Sequence, residues 1–301
     1  MLYGKGFGGA FMRIFCKNLS FSYSPKAKNP VYAVENLSLT VEEGEFFGII
    51  GHTGSGKSTF IQHLNALIPL QEGQLFIGDF DLNPSKDNKE YKKRLKELRS
   101  KVGMVFQYPE YQLFAESVFE DVAFGLRNFF PTLSAEEVSK RVQYAIELVG
   151  LNYFEVKDKS PFDLSGGQKR RVAIAGVLVT EPEVLVLDEP VAGLDPQGKK
   201  ELMDLLHSLM TGKRTIIIVS HDMDEVCENC SRIAVMQRGK IIKTGTPEEV
   251  FNGEQIENLS SPLIANLKKS LEANGVDLNC KLTADDFINA VSEEYLKRTN
   301  K

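Results

Sequence analysis

The chain has 301 residues, 26% of them charged, and a formal net charge of −5 at pH 7. A chain of this length forms one large domain or a domain with an appendage, and its acidic balance excludes the overall positive field of a nucleic-acid-binding protein. No stretch approaches the ~18–20 apolar residues that cross a bilayer, and the N-terminus lacks the basic region and apolar core of a signal peptide.

The first segments of the chain predict a leader and two strands. Residues 1–12 are rich in glycine, so we expect a flexible leader, and Met1 and Met12 are both candidates for the native start. Strands are predicted over 14–23 and 34–41. In the second strand, apolar residues alternate with polar ones, which is typical of a half-buried sheet.

A phosphate-binding loop is predicted where the apolar strand 46–50 meets the helix 60–67. Strand, glycine-rich loop and helix in this order suit phosphate, because inward-turned N–H groups and the helix N-terminus attract its oxygens. They disfavour the alternative, a chance glycine-rich turn. Lys57 is expected to reach the β- and γ-phosphates and Ser58 to coordinate Mg²⁺. The candidate nucleotide-binding residues are Gly51, His52, Thr53, Gly54, Ser55, Gly56, Lys57, Ser58 and Thr59. Three apolar residues of the helix share one face: Ile61, Leu64 and Leu67.

The next segments predict a strand pair over 73–81 and a helix over 86–101. The dense charge of this helix is typical of a solvated helix face rather than of a binding patch. A strand over 102–106 ends at Gln107, and an aromatic-rich segment, 108–114, follows it.

Two helices, predicted over 117–130 and 134–149, precede a second candidate anion site. The second helix opens with a capping box formed by Ser134 and Glu137. Glycines and a serine before the helix-forming run 169–179 make the anion site, which comprises Leu164, Ser165, Gly166, Gly167 and Gln168. Because one loop already binds one triphosphate, a second phosphate sensor indicates a composite site shared between two chains.

Acidic and imidazole side chains follow two buried strands. Asp188 ends the strand 184–187 and suits a Mg²⁺ shell, while the adjacent Glu189 can polarise a water for in-line attack. His221 follows the strand 215–219. It can donate to a γ-phosphate or hold the attacking water; the alternative is an ordinary loop histidine with its hydrogen bonds satisfied.

The C-terminal third predicts further helices and a hairpin. A helix is expected over 199–210, and a hairpin over 232–244 turns at Arg238 and Gly239. Thr246 is expected to cap the next helix, with Pro247 at its first position. We interpret 254–301 as an appendage with helices over 263–271 and 283–295. Two cysteines form a lone C-x-x-C and are interpreted as reduced, structural thiols on a helical face: Cys227 and Cys230.

Taken in order, six segments resemble ATP-binding cassette ATPases. They match the Walker A, Q-loop, signature, Walker B, D-loop and H-loop motifs: 51–58, Gln107, 164–168, 184–189, 193–195 and His221. The match runs from about residue 15 to residue 245, and no expected motif is degenerate.

The resemblance implies a role for each motif residue. Tyr23 stands where the family has its adenine-stacking aromatic, although it could be an ordinary strand aromatic. Residues 164–168 would contact the ATP of the partner chain, next to the D-loop residue Asp195. The implied catalytic residues are the general base Glu189, with His221 and Gln107. The implied Mg²⁺ ligands are Ser58, Gln107 and Asp188.

The fold implied by the resemblance is an α/β P-loop NTPase. It has a RecA-like mixed-sheet core, an antiparallel β subdomain and a helical signature subdomain at about 108–180. The ATPase domain would span 13–253, and two such domains would dimerise head to tail around two ATP molecules. The appendage, 254–301, would supply further dimer contacts.

A narrower resemblance lies in 105–114, in 165–179 and in the C-terminal appendage, which look like the ATPase subunits of energy-coupling factor transporters and of the related cobalt and nickel importers. The residues around Arg170 and Arg171 favour the second of the two paralogous ATPases. The implied partners are a second ATPase subunit, a transmembrane coupling protein and a small membrane-embedded substrate-binding subunit, with no nucleic acid. The chain would lie peripherally on the cytoplasmic face of the cell membrane, as a homodimer or a heterodimer.

Two other functions are compatible with parts of the sequence. A soluble ABC-type ATPase acting on nucleic acid or ribosomes would share the motifs, but such proteins usually carry two cassettes or a long coiled coil. A small-molecule kinase would use the phosphate loop alone and leave 164–168 and His221 unexplained.

Overall fold

The computed structural model of the chain describes residues 12–83, 89–210, 214–252, 256–257 and 259–299. The strands in these ranges are β1 (Ile14–Phe21), β2 (Val34–Val41), β3 (Phe46–Ile50), β4 (Glu72–Ile77), β5 (Phe80–Asp81), β6 (Val102–Val105), β7 (Val184–Asp188), β8 (Thr215–Ser220), β9 (Arg232–Gln237) and β10 (Lys240–Gly245). The helices are α1 (Lys57–Leu64), α2 (Lys89–Lys101), α3 (Val118–Phe129), α4 (Ala135–Leu148), α5 (Tyr153–Val156), α6 (Gly166–Leu178), α7 (Pro196–Leu209), α8 (Met223–Asn229), α9 (Pro247–Phe251), α10 (Leu263–Ala273) and α11 (Ala284–Thr299).

The strands form two sheets. The larger sheet has the order β10-β9-β3-β8-β7-β6, in which β9, β3, β8, β7 and β6 are parallel and β10 is antiparallel to β9. The smaller sheet is antiparallel, with the order β2-β1-β4-β5. The predicted P-loop NTPase fold, with a mixed core sheet and a separate antiparallel sheet, is confirmed.

Both faces of the larger sheet are buried, which explains the continuous apolar runs of its central strands. Every residue of β7 and β8 is buried. One face packs against α3, α4, α6, α7 and α8. The other face packs against α1 and the antiparallel sheet. No helix in the described ranges is long and apolar enough to cross a bilayer.

Several helix boundaries differ from the prediction. The helix after the phosphate loop ends at Leu64, and Ala66 has φ 55°, so Leu67 leaves the helical face and is 47% exposed. The prediction that Leu67 shares a helical face with Ile61 and Leu64 is therefore wrong. The Ser134 hydroxyl accepts from the Glu137 N–H, but the Glu137 carboxylate pairs with Arg141, so only half of the predicted capping box forms.

The two helices that carry the signature and D-loop residues begin three residues earlier than predicted. A capping box of Ser165 and Gln168 starts α6 at Gly166. The Asp195 carboxylate caps α7 and is followed by a proline at the first position. Both are standard start signals, and the predictions did not use them.

The predicted hairpin and its following cap are confirmed. Arg238 and Gly239 both have positive φ, 49° and 79°, as a tight two-residue turn requires. Thr246 and Glu249 form a reciprocal capping box at the start of α9.

The C-terminal helices are anchored on α8 by carboxylates. Asp224 accepts from the N–H of Leu263 at 2.7 Å, and Glu228 accepts from the N–H of Ala284 at 3.1 Å. These bonds satisfy backbone donors at the beginnings of α10 and α11. In the same region, the predicted free thiols are buried within α8 and at its C-terminal cap.

At the N-terminus, most of the predicted leader, 1–11, lies outside the described residues. Met12 is described, and its side chain is 2% exposed in the core between the antiparallel sheet and α1.

Candidate functional site

The phosphate loop lies between the carboxyl end of β3 and the start of α1. Gly56 has φ 101°, and a Cβ there would lie 2.2 Å from the carbonyl oxygen of Ala33. Gly51 has φ 151°, and its Cβ would lie 2.2 Å from the carbonyl oxygen of Met236. Only glycine fits at these two positions, because the surrounding backbone approaches so closely.

The first backbone N–H groups of α1 are not capped by a side chain of the described residues. Gly56 is the N-cap residue of this helix. Lys57 folds back over the loop, where its Nζ donates to the carbonyl oxygens of Gly51 at 2.7 Å and His52 at 3.0 Å. Burial lowers the pKa of Lys57, and the nearby carboxylates of Glu189 and Asp188 oppose that shift.

Strand pairing brings the acidic residues to the same loop. In the parallel sheet Ile50 is level with Ser220, and Asp188 is level with Val219. The carboxyl ends of neighbouring parallel strands meet at one edge, which is the usual ligand site in such sheets. Asp188 therefore lies close to the start of α1 and to Ser58. Burial raises the pKa of Asp188, whereas Ser58 and Lys57 favour its ionised form.

Glu189 and His221 form a direct pair across β7 and β8. The Nδ1 atom of His221 lies 2.6 Å from Oε2 of Glu189. The Glu189 side chain is 14% exposed, whereas that of His221 is 71% exposed. Glu189 has φ 50°, in the left-handed region that side chains rarely adopt, and its N–H is held by the carbonyl of Val219 at 2.8 Å. Such strained positions cluster at functional sites.

Except for Tyr23, the predicted nucleotide, catalytic and metal residues line one cavity of about 600 Å³. It collects the whole loop and the ends of three neighbouring strands: 51–59, Gln107, Asp188, Glu189 and His221. Four lining residues escaped prediction: Ala33, Met223, Leu259 and Ser260. The approach of Ala33 to Gly56 and of 259–260 to the loop depends on contacts between distant segments, and no local motif marks it.

Tyr23 lies beside this cavity rather than in its lining. Its hydroxyl is 3.2 Å from Oγ1 of Thr59, its ring packs edge-on against Phe21, and 65% of the residue is exposed. An exposed ring next to the loop is available for stacking on a base.

The signature residues and Asp195 lie apart from the phosphate loop within the chain. Leu164 is buried in the core, whereas Ser165, Gly166 and Gly167 are exposed. Gly167 and Asp195 line a second cavity, of about 610 Å³. The structure therefore keeps the two predicted anion sites separate, as a composite site between two chains requires.

The residues of the first cavity fit a magnesium nucleotide. The hydroxyl of Ser55 is buried with no hydrogen-bond partner among the described residues, and the start of α1 is uncapped. Buried donors without partners suit phosphate oxygens. The oxygens of Ser58 and Asp188 are the hard ligands that Mg²⁺ prefers.

Comparison with known proteins supports this assignment. Residues 34–192 match the family described as ABC transporter. The chain belongs to the ABC transporter family. It is similar to the energy-coupling factor transporter ATP-binding protein EcfA2 of Clostridium tetani, with 46% identity over 89% of this chain and 92% of that one. It is 50% identical to the EcfA2 protein of Symbiobacterium thermophilum over 80% of each chain. The predicted resemblance to energy-coupling factor ATPases is confirmed.

Solved ABC cassettes share the fold. CbiO1 of Clostridium perfringens, described as part of the ABC transporter complex CbiONQ, has a TM-score of 0.70 and 36% identity, covering 89% of this chain and 98% of that one. The ATP-binding cassette MJ0796, solved as a dimer in a post-hydrolysis state bound to ADP and Pi, has a TM-score of 0.68 and 30% identity, covering 78% of this chain and 98% of that one. The 301-residue chain, as a member of this family, is an ATPase coupled to transport.

Proposed function

We propose that the chain is the ATP-hydrolysing motor of a membrane importer of the energy-coupling factor type, for vitamin or for cobalt and nickel uptake. The observation that carries the proposal is the convergence of Lys57, Ser58, Asp188, Glu189 and His221 at one sheet edge, with the signature segment held elsewhere. A second copy or a similar ATPase would supply that segment.

In this proposal, Glu189 is the general base. It accepts a proton from a water molecule while the water oxygen forms a bond to the γ-phosphorus, and the bond to the β–γ bridging oxygen breaks with ADP leaving. His221, 2.6 Å from Glu189, would hold the base and the γ-phosphate together. Lys57 would neutralise the phosphates. Ser58, Asp188 and Gln107 would hold Mg²⁺, which would supply charge stabilisation when bound.

The exposed aromatic residues after Gln107 support docking of a transmembrane coupling protein. They form two ring pairs, Tyr108 with Tyr111 and Phe114 with Phe124, and all four are exposed. Contiguous exposed apolar groups mark interaction sites. Their place directly after Gln107 would link nucleotide state to the coupling protein, which would bind a small membrane-embedded substrate-binding subunit. The chain would then lie on the cytoplasmic face of the membrane.

The appendage supports a contact with the second ATPase subunit. Among its described residues, α11 has no buried side chain and exposes an apolar face, formed by Ile288, Val291, Tyr295 and Leu296. Covering such a face with the corresponding region of the partner would remove apolar area from water.

Substitution of the proposed base tests the chemistry. Glu189→Gln is expected to bind ATP, lose at least 100-fold in turnover, a loss typical for a removed general base, and form a stable dimer on ATP addition, measured by light scattering. Lys57→Ala is the control and is expected to give neither turnover nor dimer. Wild-type hydrolysis by Glu189→Gln would contradict the assignment.

A gentle-detergent pull-down from native membranes, followed by mass spectrometry, tests the assembly. We expect a second ATPase, a coupling protein and a small hydrophobic subunit. Recovery only with ribosomes or DNA would contradict the importer.

A further inference from the structure

Arg170 is a buried cation that the nucleotide cavity does not use. It lies on α6, five residues after Ser165, and its side chain is 6% exposed. A guanidinium stays charged in a protein, so burial is tolerated only where charged or polar partners surround it. The hydrogen-bond partners of Arg170 therefore show which segments of the chain its side chain joins to α6.

The two partners belong to segments that follow two predicted catalytic residues. The Nη1 group donates to the carbonyl oxygen of Ala192 at 2.8 Å, and Nε forms an ion pair with Oε2 of Glu110 at 3.4 Å. Ala192 lies three residues after Glu189 and three before Asp195, and its own N–H donates to the Glu189 carbonyl at 3.2 Å.

The Glu110 side of this network begins at Gln107. Glu110 lies in the short 3₁₀ helix Pro109–Gln112, three residues after Gln107. Tyr108, between them, has φ 55°, so this turn is in a strained conformation that its surroundings must hold. Arg170 is one of those surroundings, because it pairs with the 3₁₀ helix from the side of α6.

The helix transmits this anchoring to the signature residues. Five residues of α-helix span about 7.5 Å, and the capping box of Ser165 and Gln168 fixes the first turn. Ser165, Gly166 and Gly167 therefore move with Arg170 as one rigid unit. A shift of Glu110 or Ala192 relative to α6 would stretch the bonds that each of them makes to the buried guanidinium.

We propose that Arg170 is a positioning residue that keeps the exposed signature segment in register with the turns after Gln107 and Glu189, so that two chains close correctly around ATP. The inference rests on the proposed composite site. A fork of N–H donors can hold a carbonyl and a carboxylate at once, which a lysine ammonium at the same place does less well.

The test uses ATP binding by the isolated chain, turnover, thermal stability and dimer closure in the Glu189→Gln background. Arg170→Lys is expected to keep the ATP affinity within about twofold, lower kcat at least tenfold and raise by at least tenfold the protein concentration needed for the ATP-dependent dimer. Glu110→Gln is also expected to lower kcat, while its Tm stays at the wild-type value.

The matched control is Glu201→Gln. It removes the partner of Arg171, the next residue of α6, whose guanidinium pairs with Glu201 at the surface. Because this ion pair is exposed and joins α6 to α7 outside the Arg170 network, kcat and dimer closure are expected to stay at wild-type values.

The outcomes separate this inference from the proposed function. If Glu189→Gln alone forms no ATP-dependent dimer, the composite site fails. If it dimerises and both Arg170→Lys and Glu110→Gln close and hydrolyse ATP like the wild type, the Arg170 inference is overturned. A lower Tm in Arg170→Lys with unchanged kcat and closure also overturns it, because the residue would then only stabilise the fold.

Discussion

Replacing Glu225 with glutamine is expected to remove a pH dependence from the stability of the protein. Glu225 lies on α8, the helix that follows His221 in the chain. Its Oε2 accepts a hydrogen bond from the Ser220 hydroxyl at 3.2 Å. Its Oε1 is buried without a hydrogen-bond partner among the described residues. Burial raises the pKa of Glu225 to about 7; Asp222 and Glu189 add to the shift, and Ser220 and Lys199 oppose it.

The sign of the effect follows from proton counting. Between the ordinary pKa of 4.5 and the folded value of about 7, the folded chain holds a proton on Glu225 that the unfolded chain has released. The stabilisation from this proton is complete below pH 4.5 and is lost as the pH rises through 7. At about 1.4 kcal/mol per pH unit, the loss is about 3 kcal/mol. Glutamine does not titrate, so Glu225→Gln does not show this loss of stability as the pH rises.

Thermal unfolding of both proteins at pH 5 and pH 8 measures this effect. A change of 1 kcal/mol shifts the Tm of a large domain by roughly 2 °C. Part of the loss has already occurred at pH 5, so about 2.5 kcal/mol of it falls between pH 5 and pH 8. The Tm of Glu225→Gln, taken relative to the wild type, is therefore expected to rise by about 5 °C over this range. The new amide adds an offset that is the same at both pH values and leaves this difference intact.

Glu136→Gln is the control for this prediction, because Glu136 is an exposed glutamate paired with Lys140 on α4. Its Tm difference from the wild type is expected to be equal at pH 5 and pH 8. If the Tm difference between Glu225→Gln and the wild type is also equal at pH 5 and pH 8, burial does not hold a proton on Glu225 and the reasoning is refuted.

Three further predictions concern the loop, a cap and the metal. Gly56→Ala should lower the Tm more than Gly54→Ala in scans without ATP; both positions have positive φ, but only the first new Cβ meets the backbone. Asp195→Ala should cost about 1 kcal/mol of stability in denaturant titrations, while Asp195→Asn keeps the cap of α7. Ser58→Ala should weaken ATP binding at least tenfold in Mg²⁺ but not in EDTA, measured by fluorescence titration, because the proposed site would use the hydroxyl near Asp188 as a metal ligand.

Most of the nucleotide site could be predicted because the residues that would bind the nucleotide lie in short contiguous segments of the sequence. The loop 51–59 needs its glycines, lysine and serine at fixed spacing, and the apolar runs of β7 and β8 end at Asp188 and one residue before His221. Parallel pairing then places these ends at one edge without further information. The larger sheet was predictable for the same reason, since its buried strands are continuous apolar segments.

What could not be predicted depends on contacts between distant segments. The exposed position of Leu67 follows from the turn at Ala66, which helical periodicity does not reveal. Residues 259–260 reach a loop about two hundred positions earlier in the chain, and no pattern near either segment indicates it. Tertiary packing decides such contacts, and it routinely overrides local propensity.

The signature segment illustrates how one sequence motif serves two requirements. Leu164 is buried and anchors the segment, while the Ser165 hydroxyl accepts only one of the first N–H groups of α6, that of Gln168. The start of a helix leaves several donors unpaired within the helix, and the exposed glycines 166–167 place no side chain in front of them. An anion delivered by a second chain could therefore approach the helix end directly. Since the phosphate loop of the same chain lines a different cavity, the proposed composite site would form only when two chains meet.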